Sequence, residues 1–208
     1  MESLRERKKQ RTRDALVRAA VELFISQGYE RTTVDAITTA VDVSQRTFFR
    51  YFAGKDEVAL ALVEMTVGRV VDAVRERPPH EAPLAALRQA VLEGWQTITE
   101  TVEAVVPLES YLGMIRVIEA TPVLLAAHLR RQAEIEEELA RVIAAREGLD
   151  VDADPRPRLV VAVFGGVMRV TERHWTLGGD MSPADAHALT SRYLDQVGPA
   201  LLGNWRTA

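Results

Sequence analysis

Residues 44–55 read SQRTFFRYFAGK, which sets Phe48, Phe49, Tyr51 and Phe52 among Ser44, Gln45, Arg46, Thr47, Arg50 and Lys55. The polar members have a defined chemistry. A Gln amide matches the adenine edge, an Arg guanidinium matches the guanine edge, and Ser, Thr and Tyr hydroxyls suit phosphate oxygens. An aromatic ring such as Phe49 can touch a thymine methyl. On a short helix, the four-residue spacing puts Phe48 and Phe52 on one side, where they can anchor. Ser44, Gln45, Arg46, Thr47 and Arg50 are then left facing outward. Taken singly, each is more readily a solvated polar residue; on one face of one capped helix they form a surface suited to bases and phosphates.

The elements that must hold this face are helical. Strand-period runs and Asn-Gly or Asp-Gly hairpins are absent, while helical periodicity recurs almost throughout. A first helix is expected from about Thr12 to Gln27, with Leu16, Ala19, Ala20, Leu23 and Phe24 on one face and Gly28 as its stop. Thr33 caps a short helix carrying Val34, Ile37 and Val41; Asp42-Val43 turns; Ser44 caps a second short helix to about Tyr51. Two short helices joined by a tight turn and preceded by a longer one make a helix-turn-helix, whose second short helix enters the DNA major groove. Gly54-Lys55 then opens a long helix to about Glu76, ended by the proline-rich RPPHEAP. Further helices are expected up to Pro107, around Leu112–Ile118, from Thr121-Pro122 to Gly148, from Arg158 to Leu177 before Gly178-Gly179, and from Ser182-Pro183 to about Leu202. The fold class is therefore all-α, with about nine helices.

Charge divides the chain in the same place. Residues up to Lys55 carry +4, eleven Lys and Arg against seven acids, whereas the remainder carries −8. A basic head on an acidic body implies that only the head approaches a polyanion. The absence of cysteine excludes disulfides, thiolate metal sites and Cys nucleophiles. The N-terminus lacks an apolar signal core, and Leu159–Met168 is about half the ~20 residues a membrane span needs. A cytoplasmic protein without membrane association is expected.

The stretch TTVDAITTAVDVSQRTFFRYFAGKDEVALAL resembles the DNA-binding region of TetR/AcrR-type regulators. Thr33, Ile37, Ala40, Val43, Ser44, Thr47, Phe48, Phe49, Tyr51, Phe52 and Lys55 fall on that family's pattern, and the likeness extends back through Arg11. Asp42 stands where the family usually has Gly, Thr38 and Val41 where it has Ala, and Val58 where it has Leu. The resemblance implies a DNA-binding domain over residues 1–55 and an effector-binding and dimerisation domain over 56–208. Such proteins are dimeric repressors of double-stranded operators, released by a small molecule. It implies that Ser44, Gln45, Arg46, Thr47, Phe49 and Tyr51 face the groove, with Arg50 beside them, and that Thr33 and Lys55 hold phosphates. The tail Arg5–Arg13 is expected to add contacts to the DNA backbone and to order only on DNA.

The apolar run RLVVAVFGGVMRV calls for burial on every side, and one face of it needs a partner chain. With Leu189, Tyr193, Val197 and Leu201 on the last helix, it points to a homodimer through the last two helices. For an effector the candidates are Trp95, Tyr111, Met114, Ile115, Arg116, Glu119, Phe164, Arg169 and His174, apolar and aromatic groups with a few charges to orient a ligand. The region from about Tyr111 to Gly179 resembles the subgroup with acyl-CoA-like ligand-binding domains, implying an elongated apolar or acyl-like effector. No metal or cofactor is expected. His80, His128, His174 and His187 are scattered, and Glu134, Glu136, Glu137 and Glu138 read as a solvated helix face rather than metal ligands. The alternatives are a non-specific architectural DNA binder, against which the acidic body argues, and an all-helical enzyme, for which no catalytic motif is present.

Overall fold

The computed structural model describes residues 4–177 and 182–203, and among these all regular structure is helical. The helices are α1 (Leu4–Gln27), α2 (Val34–Ala40), α3 (Gln45–Phe49), α4 (Lys55–Glu76), α5 (Pro83–Glu103), α6 (Leu108–Ala120), α7 (Pro122–Glu147), α8 (Arg156–Leu177), α9 (Pro183–Asp195) and α10 (Val197–Leu202). The single last helix expected from the pattern is two. Pro199 has no N–H and its ring crowds the carbonyl four residues back, so the chain breaks at Gln196. The expected stop at Gly178-Gly179 lies outside the described residues.

α1 starts earlier than its apolar pattern. Its first turns are held by helix-spaced bonds: the Thr12 hydroxyl donates to the Lys8 carbonyl at 3.0 Å, and the Gln10 amide donates to Asp14 at 2.7 Å. The tail expected to order only on DNA is thus already helical from Leu4. At the other end, Gly28 at φ 88° supplies the left-handed residue that ends the helix, and its N–H reaches the Phe24 carbonyl.

The chain forms two compact units that do not follow chain order. The first comprises Met1–Thr66 and Thr99–Arg130, the second Val67–Ile98 and Arg131–Ala208. α6 joins the first unit because it lies on α1. A Cβ on Gly113 would come within 3.0 Å of Ile25, and Arg18 Nε donates to the Val105 carbonyl at 2.9 Å. The first unit buries Leu16, Val17, Ala20, Phe24, Ile37, Phe48 and Phe52, which fixes α1, α2 and α3 against one another. The second unit is built on Val71, Val74, Leu87, Ala90, Val91, Leu139, Ile143, Val161, Phe164 and Leu194, drawn from α4, α5, α7, α8 and α9.

Candidate nucleic-acid interface

Both short helices begin with a side-chain cap. The Thr33 hydroxyl accepts from the Ala36 N–H at 3.0 Å, and the Ser44 hydroxyl accepts from the Thr47 N–H at 3.2 Å. Each satisfies a donor that a helix start leaves open. Between them Asp42 adopts φ 55°, the left-handed conformation for which Gly is the usual choice and Asp a tolerated one. Its N–H reaches the Thr39 carbonyl and that of Val43 the Thr38 carbonyl, the paired bonds of a Schellman motif.

α3 separates its residues as its composition demands. Phe48 and Phe52 are buried, with ring centroids 5.6 Å apart, whereas Phe49 is 55% exposed. Ser44, Gln45, Arg46 and Arg50 are exposed, with Thr47 and Tyr51 half-buried beside them. Among the described residues the Arg46 guanidinium has no hydrogen bond or ion pair. Gln45 Nε2 donates to Asp35 Oδ1 at 3.2 Å, which leaves its carbonyl and second N–H for a base edge. Arg50 lies over the Tyr51 ring at 4.9 Å and donates to its hydroxyl at 3.1 Å.

Lys55 stands apart from this face. Its ammonium donates to the Tyr29 and Thr32 carbonyls, both at 2.9 Å, and lies 4.2 Å from the centre of the Tyr29 ring. Two of its three donors are therefore engaged within the protein, tying the turn after α1 to the start of α4. The third donor stays open for the phosphate that the resemblance implies, while the two carbonyls are main-chain groups that no residue pattern displays. Burial pushes the Tyr29 hydroxyl above its ordinary pKa, with Asp56 and Glu30 adding to the effect. Asp35, which orients Gln45, was also missed; only its proximity across the turn identifies it.

The effector candidates are divided between the two units. Tyr111, Met114, Ile115, Arg116 and Glu119 lie on α6 in the first, where Tyr111 and Met114 are buried and Arg116 and Glu119 exposed. Trp95, Phe164, Arg169 and His174 belong to the second. There Trp95 donates to Thr190 Oγ1 at 3.0 Å and meets Trp175 edge-on at 5.4 Å, while Phe164 is part of the core. Arg169 pairs with Glu136, and His174 bonds the Tyr193 hydroxyl. The glutamate run on α7 is likewise tied to arginines: Glu134 to Arg131, Glu137 to Arg141 and Arg158, Glu138 to Arg75. Among the described residues no group of three or more His, Cys, Asp or Glu is placed to hold a metal. No single described helix is long and apolar enough to cross a membrane, and α6 with α7 reaches that length only across a 101° bend.

A capped helix-turn-helix with an outward polar face, on an all-helical chain, defines a DNA-binding regulator. The chain belongs to the TetR family. Residues 16–62 match the model for bacterial regulatory proteins of the tetR family, and residues 81–202 match that of the MftR C-terminal domain. It is 46% identical over 206 residues to the HTH-type transcriptional regulator TcmR of Streptomyces glaucescens, covering 98% of this chain and 90% of that protein. Solved structures share the fold. One is SmeT, the repressor of the Stenotrophomonas maltophilia multidrug efflux pump SmeDEF, with TM-score 0.58 and 17% identity over 90% of this chain and 89% of that one. Another is a transcriptional regulator from Aquifex aeolicus VF5, with TM-score 0.54 and 14% identity over 91% and 99%.

Proposed function

We propose that the chain is a homodimeric, ligand-responsive repressor that binds a palindromic operator and leaves it when a small, largely apolar effector binds. The observation that carries this reading is α3 and the turn after it, with Phe48 and Phe52 buried, Gln45, Arg46 and Phe49 presented outside and Thr47 half-buried beside them. In this reading Ser44, Tyr51 and Arg50 reach phosphates, and the cap of α2 at Thr33 offers a further phosphate position. Residues 1–55 read DNA and 56–208 bind the effector and dimerise, in the cytoplasm.

The dimer is supported by an uncovered apolar face. In the single chain Leu159 is 61% and Val170 59% exposed, and Ala162, Val163, Gly166, Val167, Tyr193, Val197 and Leu201 line an open groove of ≈ 460 Å³. A second copy presenting the same surface would bury it by two-fold symmetry. A monomeric mass by light scattering at micromolar concentration would remove the dimer. Selection of bound sequences from random DNA tests the operator. We expect palindromic sites with half-site centres roughly 34–36 Å apart or a multiple. Repeating the selected complex with acyl-like and other apolar compounds, on wild type and on Trp95→Ala, tests the effector. Equal binding to all DNA would instead favour the architectural alternative.

A further inference from the structure

The first turns of α1 are built against the rules of helix stability. Leu4–Arg11 is helical and exposed, and it carries Arg5, Arg7, Lys8, Lys9 and Arg11 against the single acid Glu6. A helix N-terminus favours acids over cations because the macrodipole is positive there. Arg5 with Lys9 and Arg7 with Arg11 are like charges four apart, and Arg5 with Lys8 and Lys8 with Arg11 are three apart, each pair mildly repulsive. Among the described residues, none of these five cationic groups has a hydrogen bond or an ion pair. The charges are also sorted: Glu6, Gln10 and Asp14 share one stripe, where Gln10 bonds Asp14, and the cations occupy the remaining sides. A local violation of this kind marks a function that a partner completes.

The root of this segment is tied to the reading head. The Arg13 guanidinium lies 5.3 Å from the centre of the Phe52 ring, the buried anchor that follows α3. From there to Leu4 the helix extends roughly 13 Å at about 1.5 Å per residue. We propose that the N-terminal turns of α1 form a preformed basic arm that binds the phosphate backbone flanking the groove read by α3, without regard to sequence. This rests on the DNA-binding reading above and adds to it a surface outside the helix-turn-helix. A membrane surface is a poor fit for the same charge, because Leu4 is the one large apolar residue between positions 4 and 13, and an interfacial helix needs an apolar face to insert.

The test uses the full chain with Arg5→Gln, Arg7→Gln, Lys8→Gln and Lys9→Gln combined, all at exposed positions where Gln keeps helix propensity. Wild type and variant are titrated between 50 and 200 mM salt against a duplex selected from random DNA and against a scrambled duplex. Each lost phosphate contact flattens the log–log salt dependence by about 0.9. Two such losses mean that wild type weakens roughly tenfold more than the variant across that range. The same flattening on both duplexes, with unchanged base preference, supports the arm. Parallel salt dependences in wild type and variant would overturn it, and altered base preference at the flanks would overturn its indifference to sequence. Wild type that binds no duplex would strike the DNA-binding reading itself, an outcome distinct from parallel slopes.

Discussion

The outward-facing cations of the reading head and the ion-paired ones of the second unit are treated in opposite ways. In the second unit Arg75 pairs with Asp72 and Glu138, Arg77 with Glu81 and Glu93, Arg88 with Asp195, Arg158 with Glu137 and Asp152, and Arg169 with Glu136. Arg146 donates to the carbonyls of Val74, Arg77 and Pro78 at 2.6–3.2 Å, closing the end of α4. In the head Arg46 and the cations of the first α1 turns have no such partners among the described residues. Positive charge is neutralised inside the unit where it serves packing, and left open where a polyanion can supply the counter-charge. The division into a +4 head and a −8 remainder is the sequence-level trace of this difference.

The comparison breaks most visibly at the anchors. Phe48 is fully buried and Phe49 is 55% exposed, although they are adjacent and identical in type. Phe48→Ala should cost about 3–5 kcal/mol of unfolding free energy, whereas Phe49→Ala should stay within about 0.5 kcal/mol. Urea denaturation of both variants checks this; equal losses would mean that α3 does not separate an inner from an outer face. Next in size is Lys55, the head cation that behaves like those of the second unit. Lys55→Ala should cost about 1.5–3 kcal/mol, because charge-assisted bonds to two carbonyls disappear. An unchanged urea midpoint with a flatter salt dependence of DNA binding would make Lys55 a phosphate contact and not a structural tie. Arg46→Ala should be silent in the melt and cost about 1–3 kcal/mol of discrimination at one base position. Equal loss of affinity for every sequence would refute base reading by Arg46.

The same contrast explains what could be read from residues alone. The helix-turn-helix was legible because its determinants are local: hydroxyls at Thr33 and Ser44, Asp42 in the turn, and aromatics four apart at Phe48 and Phe52. Each acts within a few residues of itself, so spacing reveals it. The effector candidates were chosen as apolar or charged residues on central helices, and that description fits core and ion-pair residues equally well. Phe164 is core, Arg169 is tied to Glu136, and the α6 residues fold with α1. Gly165 shows the limit in a single residue. It sits in the apolar run RLVVAVFGGVMRV, and only the fold shows that a Cβ there would run into the Glu136 carboxylate. Charge patterning predicted the basic head, yet not that its first turns are already helical. A stretch with almost no apolar residues carries no periodic signal by which to recognise a helix.

The smallest effect probes the turn that aims α3. Asp42 holds φ 55° while its N–H and that of Val43 close the end of α2. The left-handed conformation costs an L-residue roughly 1–2 kcal/mol, less for Asp, whose short polar side chain tolerates it, and essentially nothing for Gly. Asp42→Gly should therefore stabilise the protein by a few tenths to about 1 kcal/mol, part of the relief being offset by the greater freedom of Gly in the unfolded chain. DNA affinity should be unchanged, since the backbone path into Ser44 is the same. Asp42→Val should move the other way, because a β-branched residue cannot take this angle without strain. A less stable Asp42→Gly variant in urea would mean that the carboxylate contributes more than its backbone angle. The head would then depend on a side-chain charge even in its turn, and the contrast with the ion-paired second unit would weaken at that position.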